Sequence, residues 1–144
     1  MNPQDSIRAL VIEDDADDAL SIEKILTRSR NDTPKIEVFL TERLERGLEL
    51  VPQKKPDIIL LDLILPDSDG LATFERTYQA FPQIPIVILS GLQDETLALE
   101  AVRKGAQDYL VKAEINARML IRVIRYSIAR ARSEAMRTRR RLTR

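Results

Sequence analysis

Four short apolar runs in this sequence end in residues that can do chemistry. One run ends at the carboxylate of Asp62, and another leads into Glu13 and Asp14. The other two end at the hydroxyl of Ser90 and the amine of Lys112. A carboxylate at the tip of a buried strand has no ordinary structural use, because an unpaired buried charge costs several kcal/mol. These residues are therefore treated as one candidate site.

The side-chain types in this group suit phosphoryl transfer with a hard metal ion. Carboxylates held together raise each other's pKa unless a cation neutralises them. Oxygen ligands without imidazole or thiolate favour Mg²⁺, which uses one or two protein carboxylates plus a phosphate oxygen. A carboxylate can itself attack phosphorus and form an aspartyl phosphate, and a lysine and a hydroxyl can then contact the phosphoryl oxygens. The residue types predict a phosphoryl-accepting site.

The elements that must bring these residues together follow an α/β pattern. Five short strands, the second over 36–40, alternate with helical patterns, which indicates βαβ units and a parallel sheet. The carboxyl ends of such strands line one edge, where the four runs would meet. The expected helices are one capped by Asp15 or Asp17, one from Leu44 that stops before Pro52, one over 71–81, one capped by Asp94 and ended at Gly105, and a long one from about Asn116.

Composition fits one domain and excludes several kinds of chemistry. A chain of 144 residues with 44% hydrophobic content can bury one ordinary core. The absence of cysteine excludes disulfides and thiolate metal sites, and the absence of histidine excludes a phosphohistidine on this chain. No apolar stretch approaches the roughly 20 residues of a membrane span, and the N-terminus does not look like a secretion signal. We therefore expect a cytoplasmic protein with no membrane partner.

The net charge of zero hides a division along the chain. From Arg118 onward, ten arginines stand against Glu134 alone, a net charge of +9, so the first 117 residues carry −9. We predict one compact domain over 1–128 and a basic helical extension over 129–144 that leads to an effector or a partner. No recognition helix or aromatic platform accompanies the arginines, so nucleic acid is not expected to be that partner.

Heptad spacing along the last helix suggests a homodimer as one use of the extension. A plain solvated helix is the simpler interpretation, because alanine and threonine fill the middle of the seam. The seam consists of Ile121, Ile124, Ile128, Ala131, Ala135, Thr138 and Leu142.

Four segments of the chain together resemble a response-regulator receiver domain of bacterial two-component signalling. Each segment is common alone, but all four in this order are highly specific. The resemblance covers about residues 7–128 and implies a flavodoxin-like, doubly wound (βα)5 parallel sheet of order 2-1-3-4-5, here with an extended C-terminal helix. The segments are VIEDD (11–15), LLDLILPDSDG (60–70), VILSG (87–91) and GAQDYLVK (105–112).

The resemblance also implies a role for each site residue. Asp62 would be the phosphoacceptor, Ser90 the hydroxyl that moves onto the phosphoryl group, and Lys112 the counter-ion. Tyr109 would be the aromatic residue that turns inward on activation. The phosphoryl group would come from a sensor histidine kinase or a phosphotransfer protein, so the chain would act as a phosphorylation-dependent switch.

The implied metal is Mg²⁺, held by carboxylates from two strand ends. Asp14 and Asp62 would be the ligands, assisted by Glu13 and by the backbone carbonyl of Ile64. The acids of the following helical turn, Asp15, Asp17 and Asp18, are interpreted as solvated residues favoured by the helix dipole rather than as metal ligands.

Two features distinguish this chain within the resembled family. Family members usually carry proline after the lysine, often in a cis peptide, whereas Ala113 stands here. A trans bond is expected, because a non-proline cis bond costs about 2.5–4 kcal/mol. The positions two beyond the acceptor and the switch hydroxyl, Ile64 and Leu92, flank the path of the hydrolytic water in the family. Their apolar side chains predict a long-lived aspartyl phosphate.

Two other function classes remain open. A small aspartate-based phosphatase would turn over an external phosphoester. A pseudo-receiver would be a binding module with the site unused. We expect the chain not to be an enzyme beyond its own phosphorylation and dephosphorylation.

Overall fold

The structure is a computed structural model, and it describes residues 6–28 and 34–143. Within these ranges five parallel strands form the main sheet in the order β2-β1-β3-β4-β5, which confirms the flavodoxin-like prediction. The strands are β1 Ile7–Ile12, β2 Ile36–Thr41, β3 Ile58–Asp62, β4 Ile86–Ser90 and β5 Asp108–Val111. The helices are α1 Ala16–Thr27, α2 Leu44–Lys54, α3 Leu71–Ala80, α4 Glu95–Arg103 and α5 Ala117–Thr143.

The sheet is covered by helices on both faces, which is why its central strands are apolar throughout. Along β1, Ala9 and Val11 pack into a cluster with residues of α1 and α5. Leu10 and Ile12 point the other way, into a cluster with residues of α2, α3 and α4. Every residue of β3 is buried, including Asp62 at its end. The two-sided burial explains the near-continuous hydrophobic runs read from the sequence.

Helix α2 runs through Pro52, so the predicted stop before this proline was wrong. Proline lacks the N–H of a helical hydrogen bond, yet the helix continues through Pro52, which is exposed, for two further residues. The helix ends instead at Lys55, whose left-handed backbone (φ 50°, ψ 59°) and amide hydrogen bond to the Val51 carbonyl close it.

The other helix boundaries agree with those predicted from the sequence in all but one respect. Asp15 caps α1, because its Oδ1 accepts a hydrogen bond from the Asp18 amide over 3.0 Å. Asp94 precedes α4 but makes no side-chain cap, since it ends a 3₁₀ turn, and its predicted capping role was wrong. Gly105 has φ +133°, and a Cβ there would lie 3.0 Å from the ring of Tyr78. Only glycine fits that position without strain.

Helix α5 continues beyond the sheet as one uninterrupted helix. Ile121, Ile124 and Ile128 are buried in the core, so the first three positions of the predicted seam pack inside the domain. Beyond them exposure rises, and Leu142 is 80% exposed. None of the described helices combines the length and the apolar character needed to cross a membrane.

Candidate functional site

Asp62 is held in a fixed orientation at the end of β3. Its side chain is almost fully buried, and both carboxylate oxygens have donors. Oδ1 accepts from the amide of Ile64 over 2.9 Å, and Oδ2 accepts from Nζ of Lys112 over 2.8 Å. The prediction that strand ends would bring Asp62 and Lys112 together therefore agrees with the geometry.

Lys112 lies among three carboxylates from two other segments of the chain. Its Nζ is 2.9 Å from Oε1 of Glu13, and 3.3 Å from Oδ2 of Asp18. Burial lowers the pKa of Lys112, but the hydrogen bonds that it donates to Asp62 and Glu13 outweigh this effect, so the pKa lies well above its usual range. The side chain of Asp18 stays 40% exposed in the first turn of α1, as interpreted from the sequence, and it forms in addition an ion pair with this lysine that the sequence did not indicate.

Glu13 is the most deeply buried acid of the site. Its Oε1 contacts Lys112, and its Oε2 accepts from the amide of Asp15 over 3.2 Å. Burial, followed by the neighbouring Asp62 carboxyl, raises the pKa of Glu13 to about 8, against the opposing effect of Lys112. Two buried carboxylates this close repel each other, and one lysine does not neutralise both.

The three acids expected at a metal ion form one group. Carboxylate oxygens of Glu13, Asp14 and Asp62 all lie within 4.8 Å of one another. Glu13 and Asp62 are buried, whereas Asp14 is exposed at the mouth of the site. Hard oxygen donors and excess negative charge fit Mg²⁺ better than a softer metal. Ile64 contributes its amide to Asp62, so the loop that would offer its carbonyl lies beside the same carboxylate.

Ser90 and Tyr109 are turned away from the acidic group. The Ser90 hydroxyl is buried and donates to the carbonyl of Gly91 over 2.8 Å, not to Asp62. The Tyr109 hydroxyl donates to Oε2 of Glu95 over 3.2 Å. Ser90 lies at the end of β4, whereas Tyr109 pairs with Ile88 two positions earlier, and the hydroxyl groups of both are engaged outside the acidic group. Nothing in the local sequence around Glu95 indicated this contact.

The loop after Asp62 connects the site to α2. Residues 64–65 and 68–69 form a short antiparallel hairpin that the sequence did not predict. Between them, Asp67 accepts from the amides of Leu44 and Glu45, each over 2.9 Å. The hydrogen bond from the Glu45 amide, and next that from Leu44, hold the pKa of Asp67 below its usual value. Arg43 is at the N-cap position of α2 but makes no capping hydrogen bond with its side chain. Asp67 provides the cap in its place.

The turn after Lys112 begins with a trans peptide bond. Among the described residues no peptide bond is cis, so the bond to Ala113 is trans, as expected. Lys112 begins a 3₁₀ turn that ends at Glu114.

Comparison with known proteins gives one consistent result. A family model described as the response regulator receiver domain matches residues 9–125. The transcriptional regulatory protein KdpE of the KDP operon of Escherichia coli is 39% identical over 98 residues, which cover 65% of this chain and 43% of that protein. A protein-glutamate methylesterase/protein-glutamine glutaminase of Methanosarcina mazei is 42% identical over 109 residues, or 74% of this chain and 28% of that protein.

Solved structures agree with the family model. The receiver domain of NtrX from Brucella abortus superposes with a TM-score of 0.73 at 27% identity, over 84% of this chain and 98% of that one. The chain spans less than half the length of the two curated relatives named above. The similarity therefore concerns one domain of those larger proteins.

Proposed function

The chain belongs to the response regulator receiver domain family, and on that basis we propose that Asp62 accepts a phosphoryl group in a Mg²⁺-dependent reaction. A receiver domain is a phosphorylation-dependent signalling switch. The observation that carries the assignment to Asp62 is its geometry. It is a buried carboxylate, fixed by Ile64 and Lys112, within 4.8 Å of two further acids.

Each residue of the site has a task in this reaction. One oxygen of Asp62 forms the new P–O bond while the P–N bond to the donor's imidazole breaks. Lys112 stays cationic and offsets the charge that arrives with the phosphoryl group. Ser90 and Tyr109 rearrange afterwards, once phosphoryl oxygens are available to the hydroxyl of Ser90. Mg²⁺, held by Glu13, Asp14 and Asp62 with the Ile64 carbonyl, would supply further neutralisation of those oxygens.

The proposed partners follow from the absence of histidine in the sequence and from the kinds of protein among the relatives. Because the sequence contains no histidine, the donor is a sensor histidine kinase or a phosphotransfer protein, encountered in the cytoplasm. Residues 1–128 form the receiver unit, and 129–144 lead to an effector or to a second copy. KdpE, a transcriptional regulator, is longer than the matched domain. The chemistry of this chain is confined to Asp62. The methylesterase among the relatives is much longer than the part of it that this chain matches.

Intact mass spectrometry tests the acceptor. Incubation with Mg²⁺ and acetyl phosphate should add about 80 Da, the mass of one phosphoryl group. Asp62→Asn preserves the shape of the side chain but removes the nucleophile, so the adduct should disappear. Asp69→Asn, an exposed position in the same loop, is the matched control and should be modified normally. An adduct of normal yield in Asp62→Asn would refute the assignment.

The same experiment separates the rival classes. A pseudo-receiver would remain unmodified with both acetyl phosphate and a beryllofluoride mimic. An aspartate-based phosphatase would hydrolyse many equivalents of an external phosphoester such as p-nitrophenyl phosphate. The proposed switch should form a stoichiometric adduct and show no such turnover.

A metal titration tests the ligand set. Asp14→Ala should weaken Mg²⁺ binding by about tenfold or more, because one of three carboxylates is lost. Asp17→Ala removes the same charge from the exposed first turn of α1 and should change binding little. Calorimetry that gave equal affinities for the two variants would remove Asp14 from the ligand set.

A further inference from the structure

Tyr109, the residue expected to turn inward on activation, is tied to helix α4. Its hydroxyl donates to Oε2 of Glu95 over 3.2 Å. Glu95 is the first residue of α4, whereas Tyr109 lies in β5, so the bond joins two elements at the edge of the sheet. The hydrogen bond to Glu95, and then its charge, raise the pKa of the Tyr109 hydroxyl, which therefore keeps its proton and remains a donor.

One short segment connects this bond to the other switch residue. Ser90 ends β4, and its hydroxyl donates to the carbonyl of Gly91 over 2.8 Å. The 3₁₀ turn Leu92–Asp94 then leads directly into Glu95. Movement of the Ser90 hydroxyl toward a phosphoryl group must break its bond to Gly91. The Gly91 carbonyl that loses this bond lies in the segment that leads to Glu95.

We propose that Glu95 is a positioning residue that holds Tyr109 in its outward orientation while Asp62 is unphosphorylated. The inference rests on the proposed function, because the hold is released when Ser90 moves toward the phosphoryl group. A carboxylate suits this task, since hydrogen bonds to a charged acceptor are stronger than neutral ones. After release Glu95 needs no new partner, because an acid in the first turn of a helix is favoured by the helix dipole.

A hold of this kind differs from plain structural stabilisation in one measurable way. A contact made equally in both states of the switch changes stability but not the balance between the states. A contact made only in the inactive state lowers the fraction of protein able to bind an activating ligand, and so weakens the apparent affinity. Removal of the Glu95 carboxylate should therefore strengthen binding of a phosphoryl mimic.

Beryllofluoride titration in the presence of Mg²⁺ measures the balance between the inactive and active states of the switch. Glu95→Ala and Tyr109→Phe each break the hydrogen bond and should bind beryllofluoride about three- to tenfold more tightly than the wild type. Combining them should add little, because both remove the same interaction. Glu95→Gln keeps a neutral, weaker acceptor, so its affinity should fall between those of Glu95→Ala and the wild type. Glu100→Ala removes an exposed acid from the same helix and serves as the charge control.

A spectroscopic readout reports on the ring itself. The chain has three tyrosines, so labelling with 3-fluorotyrosine gives three ¹⁹F signals. In Glu95→Ala without beryllofluoride, the Tyr109 signal should move toward its position in the activated wild type. The signals of Tyr78 and Tyr126 serve as internal references and should stay in place.

The outcomes distinguish failure of this inference from failure of the proposed function. Equal beryllofluoride affinities and coincident Tyr109 signals in Glu95→Ala and the wild type would show that Glu95 does not hold the ring. If Glu100→Ala raised the affinity for beryllofluoride as much as Glu95→Ala does, the effect would be one of net charge. That result would also overturn the inference about Glu95. If the wild type bound no beryllofluoride, or Asp62→Asn bound it equally well, the proposed function itself would fail.

Discussion

Nζ of Lys112 lies 2.8 Å from Oδ2 of Asp62, so the site contains a cation from the chain itself before any metal binds. The same ammonium lies 2.9 Å from Glu13. One positive charge thus partly offsets two buried carboxylates, and the rest of their charge is available to attract a divalent ion. Lysine and metal therefore share the task of neutralising the site.

The first prediction follows from this sharing. Lys112→Met keeps the length of the side chain but leaves Glu13 and Asp62 without their cation, so Mg²⁺ should bind on the order of tenfold more tightly. Calorimetric titration measures the affinity, and Lys104→Met, exposed and outside the site, is the control. An affinity for Mg²⁺ unchanged or reduced by Lys112→Met would contradict the electrostatic account.

The second prediction concerns the cap that Asp67 provides to α2. Asp67→Ala removes the acceptor for the amides of Leu44 and Glu45 and should lower the free energy of unfolding by about 0.5–2 kcal/mol, the range of a lost helix cap. Urea unfolding measures the loss. Asp69→Ala, exposed in the same hairpin, should cost much less.

The cap should also depend on pH in a definite direction. The folded pKa of Asp67 lies below the ordinary value of 3.8, so its contribution is fully present above that value. It is lost as the pH falls through the folded pKa. The difference in stability between wild type and Asp67→Ala should therefore be constant near neutrality and shrink below about pH 3.8. A difference that grew on acidification would contradict the assignment.

The strand ends of this site were predictable from sequence, whereas the contacts between segments were not. Asp62, Ser90 and Lys112 each follow an apolar run, and the geometry of parallel sheets brings such ends together. Asp67 lies in a hairpin that the sequence did not predict, and its partner Leu44, at the start of α2, is 23 residues away. The contact of Glu95 depends on a side-chain orientation that no periodicity encodes.

The third prediction concerns the lifetime of the phosphorylated state. Ile64 is 41% exposed and Leu92 is 64% exposed, so both side chains are accessible beside the site. Neither side chain has a polar group that could orient an attacking water. The double variant Ile64→Asn, Leu92→Glu supplies polar groups at both positions and should shorten the half-life of the adduct severalfold. Leu99→Glu, exposed on α4, is the control for an added surface acid. Decay as slow as in the wild type would count against this role.

The extension beyond the sheet offers a different kind of test, because its buried and exposed positions are now distinguishable. Ile128 is 5% exposed and belongs to the core, so a charge there would damage the domain before it reported on self-association. Leu142 is 80% exposed and continues the same heptad seam. Met136 is 54% exposed but lies off the seam, which makes it the matched control.

The fourth prediction is that activation promotes a dimer through the exposed part of this seam. With Mg²⁺ and beryllofluoride, sedimentation velocity should show a concentration-dependent dimer that is weaker without the mimic. Leu142→Glu should raise the dimer dissociation constant by about tenfold, or about 1.4 kcal/mol, whereas Met136→Glu adds the same charge off the seam and should change it little. Neither change should affect phosphorylation of Asp62, which lies at the opposite end of the strands from this extension. Equal weakening by both substitutions would make the effect one of charge, and a monomer under all conditions would leave the extension to a different partner.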